Sequence, residues 1–141
     1  MAVGRLRDIM RSNDPAWQDA SQHKHMIHYD LEAFVWVTFY SILMYTKKDL
    51  GVVDEQQAPK RQNVIDVLGD CFSYSTLKDV LKAKESFVLG GIQVLKFIED
   101  VNLRKVAVGV WELLYDQNTL RGDPVLMTHD SLCKVFVDAG A

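Results

Sequence analysis

HYDLEAFVWVTFYSILMY, residues 28–45, is the stretch from which the fold of this chain follows. Between Ala33 and Tyr45 only Thr38 and Ser41 are polar. An apolar segment of this length without a clean polar stripe is typical of a helix that is buried on nearly every side. It is too short to cross a bilayer, which takes about 20 residues. We therefore predict a central helix at about residues 30–46, around which the rest of the chain packs.

Both ends of the predicted central helix carry boundary signals. Asp30 suits the N-cap or the first turn, where a carboxylate can accept from free backbone N–H groups. Lys47 and Lys48 suit the negative end of the helix, and Gly51 follows as a stop signal. Residues 49–61 are polar and predict an exposed loop.

The remaining apolar residues recur at helical spacing, and no segment alternates with period two between turn residues. We expect one helix that ends near Cys71 and a second that Ser75 or Thr76 caps, with Leu77, Val80, Leu81 and Lys84 on one face. After a turn at Gly90-Gly91 we expect a helix from about Ile92 to Asp100, then one with the stripe Leu103, Val106, Ala107, Val110, Leu113 and Leu114. Thr128 caps the last helix, which has Asp130 in its first turn, Leu132, Val135 and Phe136 facing inward, and Gly140 at its end. The sequence therefore predicts an all-α fold in one domain, residues 1–141.

Composition limits the classes of function. The net charge of −3 and the lack of clustered Lys and Arg argue against a nucleic-acid partner. Cys71 and Cys133 lie in apolar helical patterns without a CxxC, which predicts reduced core thiols in an intracellular protein, cytoplasmic or nuclear. The first ten residues, MAVGRLRDIM, lack the apolar region of a signal peptide, and we expect no membrane partner.

Three groups of residues are candidates for a chemical site. His23, His25, His28 and Asp30 form an H-x-H-x-x-H-x-D cluster that could bind zinc, but structural zinc sites usually recruit Cys and none is near. Surface histidines beside a helix cap explain the same pattern, and we predict no metal site. Ser21 or Ser41 with a nearby His lacks any nucleophile-elbow context, and Gly90-Gly91 belongs to no phosphate-binding motif.

The sequence around Asp30 resembles a known signature. His28-Tyr29-Asp30-Leu31-Glu32-Ala33-Phe34-Val35-Trp36-Val37 is similar to the H-x-D-L/I-E-S-F-F-x-V segment of the fungal-type protein kinase family, with Ala33 where Ser is common. In that family the segment opens the F helix, the central helix of the kinase C-lobe. The resemblance implies a structural F-helix motif made of His28, Asp30, Leu31, Glu32, Phe34 and Trp36. By similarity, Asp30 would be the residue that holds the backbone of the catalytic loop.

Four further segments resemble the same family and follow its order along the chain. They are Met1-Ala2, similar to the F-M-A after the activation segment; Leu77 to Phe87, similar to an apolar helix followed by A-x-x-K-x-x-F; Leu103-Arg104-Lys105-Val106, similar to L-R-x-V; and Thr128-His129-Asp130-Ser131-Leu132, similar to T-Y-D-x-L. The resemblance implies the C-terminal part of a kinase C-lobe. Residues 1–28 would be the end of the activation segment and a loop, and residues 29–141 a helical bundle.

The motifs for phosphoryl transfer do not occur in this sequence. Kinase chemistry needs a Gly-rich loop, a β3 Lys, a catalytic-loop Asp and Asn, and the Asp of D-F-G. We therefore expect a truncated kinase domain that is inactive alone, with no catalytic residue and no cofactor. ATP and Mg²⁺ would be bound only if an upstream catalytic half exists.

The resemblance also predicts an exposed surface. In a complete C-lobe the E helix and the catalytic loop cover one side of the F helix. We predict that one side of residues 33–45, with Phe34 and Tyr40, is partly bare. This face of helix 30–46 would bind a protein partner or the missing kinase N-terminal half. The alternative is a non-catalytic helical protein-interaction module, and a small zinc protein that uses His23, His25 and His28 is a third possibility.

Overall fold

The computed structural model describes Val3 and residues 27–51, 55–72, 76–118 and 125–140. Within these ranges the chain forms six helices and no strand: α1 (Ile27–Leu50), α2 (Ala58–Phe72), α3 (Leu77–Gly90), α4 (Ile92–Leu95), α5 (Val101–Asn118) and α6 (His129–Gly140). The predicted all-α class is confirmed. None of the helices in the described ranges is both long and apolar enough to cross a membrane.

The central helix α1 extends beyond its predicted bounds at both ends. Asp30 lies in its first turn, and Lys47 and Lys48 lie in its last turn, as expected. Gly51 follows with φ +59°, a left-handed conformation that glycine adopts without steric cost. Charge and backbone geometry therefore agree on where the helix stops.

One face of α1 forms the centre of the main hydrophobic core. This face presents Leu31, Val35, Trp36, Phe39 and Ile42. They pack with buried residues of the following helices and of the segment before α6, namely Cys71, Phe87, Val88, Leu95, Ile98, Ala107, Val110, Leu114, Met127 and Leu132. A smaller cluster of Leu43, Leu50, Val64 and Leu68 joins the C-terminal half of α1 to α2.

The expectation that α1 is buried on nearly every side is wrong. Helices α2 and α5 pack against it, and its other face stays exposed. The prediction of a partly bare side is confirmed, because Phe34 is 53% exposed and Tyr40 is 44% exposed. One face of α1 therefore packs in the core, and the opposite face leaves large apolar side chains on the surface.

Helix boundaries after α1 differ from the prediction in two places. The polar loop after α1 is shorter than residues 49–61, because α2 already begins at Ala58. The turn at Gly90-Gly91 is present, but the helix that follows ends at Leu95 instead of Asp100. Phe97 N–H donates to the Val94 carbonyl and Ile98 N–H to the Leu95 carbonyl. These i to i−3 bonds tighten the chain into a turn and end the α-helix.

Three side chains expected inside lie outside. Phe136 is 40% exposed, because the buried stripe of α6 runs through Leu132 and Ala139, with Val135 half-buried beside it. Leu77, at the first position of α3, is exposed, whereas Lys84, Phe87 and Val88 form the buried side of that helix. Cys71 is buried as predicted, but Cys133 is an exposed free thiol on the outer side of α6.

Candidate functional site

A buried carboxylate lies where α1 meets α5 and Val3. Glu32 has no exposed surface. Its Oε1 accepts from the Val3 backbone N–H at 2.6 Å and from Trp36 Nε1 at 3.3 Å, and its Oε2 accepts from Gln117 Nε2 at 2.7 Å. A buried charge is tolerated only when such donors replace the water it has lost. Glu32 therefore holds segments together instead of facing a substrate.

Gln117 carries this network on to the last helix. Its Oε1 accepts from the backbone N–H of Met127 at 2.8 Å. Met127 directly precedes Thr128, whose side chain caps α6 by accepting from Ser131 N–H at 3.1 Å, while Thr128 N–H donates to Ser131 Oγ at 2.9 Å. The hydrogen bonds thus run from Val3 through Glu32 and Gln117 to Met127, the residue before the cap of α6.

A buried lysine lies near the same carboxylate. Lys84 of α3 is 3% exposed, and its Nζ lies 4.7 Å from the centroid of the Trp36 ring and 5.8 Å from that of Phe72. Cation–π contacts of this kind partly compensate a cation for lost hydration. Burial lowers the pKa of Lys84, and the electrostatic influence of Cys71 and Glu32 opposes that shift. Lys84 is therefore a structural cation inside an aromatic environment.

Cys71 lines a cavity of about 540 Å³ between α2 and α3, together with Asp70, Asp79, Lys82, Ser86 and Phe87. Burial raises the pKa of Cys71 to about 12; the nearby Lys84 cation lowers it and Asp70 raises it further. At neutral pH the side chain is a thiol, and a thiol is a poor nucleophile. The arrangement therefore favours a packing role for Cys71.

The six residues of the predicted F-helix motif divide between the two faces of α1. Leu31, Glu32 and Trp36 are buried, whereas Asp30 and Phe34 are exposed. The backbone of His28 belongs to α1, but its side chain lies outside the described residues. His23, His25 and Ser21 also lie outside them. In the part of the chain that the structure describes, no three His, Cys, Asp or Glu side chains are grouped to hold a metal ion.

The exposed side of α1 is apolar. It presents six large apolar side chains, here called the apolar face: Ile27, Phe34, Val37, Tyr40, Met44 and Tyr45. Tyr40 lies against Phe72 of α2, with ring centroids 5.3 Å apart, so the face continues toward that helix. Contiguous apolar surface of several hundred Å² on a protein usually marks an interaction site.

Sequence analysis missed Gln117, and it did not foresee the burial of Glu32. A signal for Gln117 exists, because it continues the buried stripe of Val110 and Leu114 by one further turn of α5. A polar residue at the end of an apolar stripe points to a buried hydrogen-bond partner. The partner itself, 85 positions earlier in the chain, has no such local signal.

Comparison with protein-family models, with curated proteins and with solved structures gives no significant match for this chain. The resemblance to the fungal-type kinases rests on the quoted motifs alone and stays a prediction. Two of those motifs meet in the core: Trp36 of the 28–37 segment and Phe87 of the Leu77–Phe87 segment have ring centroids 5.6 Å apart.

Proposed function

We propose that this chain is the C-terminal part of a fungal-type kinase C-lobe and acts as a non-catalytic protein-binding module. The observation that carries the proposal is the apolar face of α1. In a complete C-lobe the E helix and the catalytic loop cover one side of the F helix. Here one side of the corresponding helix leaves Val37, for example, 63% exposed. A protein that covers this face would bury the remaining exposed half of large apolar side chains, each contributing on the order of 1 kcal/mol.

Contacts between the motif segments support the kinase part of the proposal. The Val3 N–H, directly after the Met1-Ala2 segment, donates to Glu32 of the 28–37 segment. Lys84, from the Leu77–Phe87 segment, lies over the Trp36 ring. Lys84 and Phe87 of one segment that resembles the family are therefore direct neighbours of Trp36 of another, as parts of one core would be.

The non-catalytic part of the proposal follows from the missing motifs and is tested with nucleotide. A ligand that binds only the folded state raises the unfolding temperature. We expect no change in the melting temperature of the purified chain when ATP and Mg²⁺ are added. Stabilisation that depends on both ATP and Mg²⁺ would contradict a non-catalytic role.

The protein-binding part is tested on the apolar face itself. We expect the purified chain either to bind the dye ANS or to self-associate, because both report exposed apolar surface. Val37→Lys should reduce that signal strongly. Val137→Lys, the same change at an exposed valine of α6, is the matched control and should leave it unchanged. A monomeric chain that does not bind ANS, or equal effects of the two variants, would contradict the proposal.

A further inference from the structure

The exposed residues of α1 follow the spacing of a coiled coil. Six of them, here called the seam, are Asp30, Phe34, Val37, Ser41, Met44 and Lys48. They are separated by four, three, four, three and four positions, and all six are exposed. This alternation is that of the a and d positions through which two helices pack side by side. The seam therefore presents the pattern of a helix that packs against a second helix.

The seam is complementary to the seam of a second copy that runs antiparallel to it. When a second α1 lies antiparallel, with the twofold axis level with residue 39, Asp30 faces Lys48 of the second copy. In the same register Phe34 faces Met44 of the second copy, and Val37 faces Ser41 of the second copy. Opposite charges then close both ends of an apolar centre. A twofold axis requires one surface that complements itself in this way.

We propose that two copies of this chain associate through the seam, with their α1 helices antiparallel. The proposal rests on the proposed protein-binding role of the apolar face and names the partner of that face. Charge complementarity favours a second copy over an unrelated helix, because the seam carries one acid and one base at matched distances from its centre. Antiparallel packing also sets the positive end of each helix beside the negative end of the other.

The available surface fits such a dimer. Six large side chains, each about half exposed, leave on the order of 600 Å² of apolar surface on α1. Stable interfaces bury about 800 Å² on each partner, so the apolar face with a polar rim approaches that size. Tyr45 would face the small side chain of Ala33 in the second copy. The helix is already formed by the core of each copy, so association does not have to supply the cost of folding it.

Charge reversal tests both the partner and the orientation. Sedimentation equilibrium of the wild-type chain should give a reversible dimer. Asp30→Lys and Lys48→Asp should each weaken the dimer by about tenfold, since each turns two attractions into two repulsions. The double variant Asp30→Lys/Lys48→Asp should restore the wild-type affinity. A mixture of the two single variants should form a mixed dimer, because each of its two facing pairs then joins a lysine to an aspartate.

Matched variants separate the seam from general effects. Asp138→Lys makes the same charge change on the exposed surface of α6 and should leave the dimer intact. Val37→Lys should abolish the dimer, and circular dichroism of each variant should show an unchanged helix content. These results together would support the proposal. In a parallel dimer each of the two positions faces itself, so a single charge reversal exchanges one like-charge pair for another and would leave the affinity unchanged.

Three outcomes would overturn the proposal. They are a chain that stays monomeric at all accessible concentrations, a dimer that is insensitive to both single charge reversals, and a double variant that fails to regain affinity. A monomer that binds ANS through the apolar face overturns self-association and leaves the proposed function standing. A monomer that does not bind ANS overturns both.

Discussion

Gln117 Nε2 donates a 2.7 Å hydrogen bond to Oε2 of Glu32 and so joins two residues that are 85 positions apart in the chain. Glu32 Oε1 accepts from Val3 N–H and Trp36 Nε1 as well. A fully buried carboxylate is costly to desolvate, and its pairing fixes which segments must be neighbours. In this arrangement one buried carboxylate joins α1 to α5 and to Val3.

Removal of this carboxylate is expected to destabilise the protein strongly. Glu32→Ala leaves three buried donors without an acceptor, and we expect a loss of about 3–5 kcal/mol in the free energy of unfolding. Glu32→Gln keeps the shape and one acceptor and should lose less. Urea denaturation followed by circular dichroism measures both. Glu112→Ala, at an exposed position of α5, is the control and should stay within about 0.5 kcal/mol of the wild type. A Glu32→Ala loss below about 1 kcal/mol would contradict the assigned role.

The burial of Cys71 predicts a loss of stability at alkaline pH. Its pKa is raised from 9.0 to about 12, so between these values the folded chain keeps a proton that the unfolded chain has released. The free energy of unfolding then falls as pH rises through this window, by up to about 1.4 kcal/mol per pH unit. Cys71→Ala should remove this part of the slope, so its stability difference from the wild type should shrink above about pH 9.

Two precautions make the alkaline experiment specific. The lowered pKa of Lys84 acts in the opposite direction, because below 10.5 the unfolded chain binds the extra proton and stability rises with pH. All the variants retain Lys84, so the part of this contribution that comes from the desolvation of Lys84 cancels in the differences. Cys133→Ala removes the exposed thiol and is the matched control, measured by urea unfolding in reductant. Equal pH slopes for the wild type and Cys71→Ala would show that the Cys71 thiol does not govern alkaline stability.

The two adjacent glycines where α3 ends and α4 begins should change the stability in opposite directions when each is replaced by alanine. A Cβ at Gly91 would lie 2.5 Å from both the Phe87 ring and the Phe87 carbonyl oxygen. Since Phe87 is held by Trp36 and Phe39 in the core, we expect Gly91→Ala to cost about 1–3 kcal/mol in unfolding free energy. Gly90 has open space around it, and Gly90→Ala should stabilise α3 by about 0.5–1 kcal/mol. Thermal melts of the pair check the ordering, and a reversed order would refute it.

Two threonines offer a second matched pair. Thr76 caps α3 by accepting from Asp79 N–H, and Thr76→Ala should cost about 1 kcal/mol. Thr38 lies inside α1 and donates to the Phe34 carbonyl, a bond within the helix that alanine does not need. Thr38→Ala should therefore be neutral or stabilising by a few tenths of a kcal/mol, because alanine is the better helix former. Chemical denaturation distinguishes the two, and similar losses at both positions would contradict the cap.

The parts of the fold that depend on local chemistry were predictable from the sequence. The apolar run of α1, the stop at Gly51 and the caps Thr76 and Thr128 each depend on residues within a few positions. The exposed positions of Phe136 and Cys133 were not predictable, because helical spacing gives a stripe but not its exact centre. A shift of one residue, about 100° around the helix, moves Phe136 from the core to the surface.

The candidate site shows the same division. The exposure of Phe34 and Tyr40 was predicted because the resemblance identified what would normally cover them. The burial of Glu32 depends on donors from Val3 and Gln117, which no local pattern relates to it. Lys84 was correctly placed on the inner face of α3, but its position over the Trp36 ring follows from tertiary packing alone.

The pairing of Glu32 also has a consequence for the order of events during synthesis. α1 leaves the ribosome long before Gln117 and Met127 are made. During this time the Glu32 carboxylate stays hydrated, while the apolar side chains of the helix can already collapse. Contacts that close long loops form late in folding. Glu32 gains its third donor, Gln117 Nε2, only when the chain has been made past that residue, and Met127 N–H then holds the amide of Gln117. Completion of the core around the central helix therefore depends on the synthesis of α5, which carries Gln117.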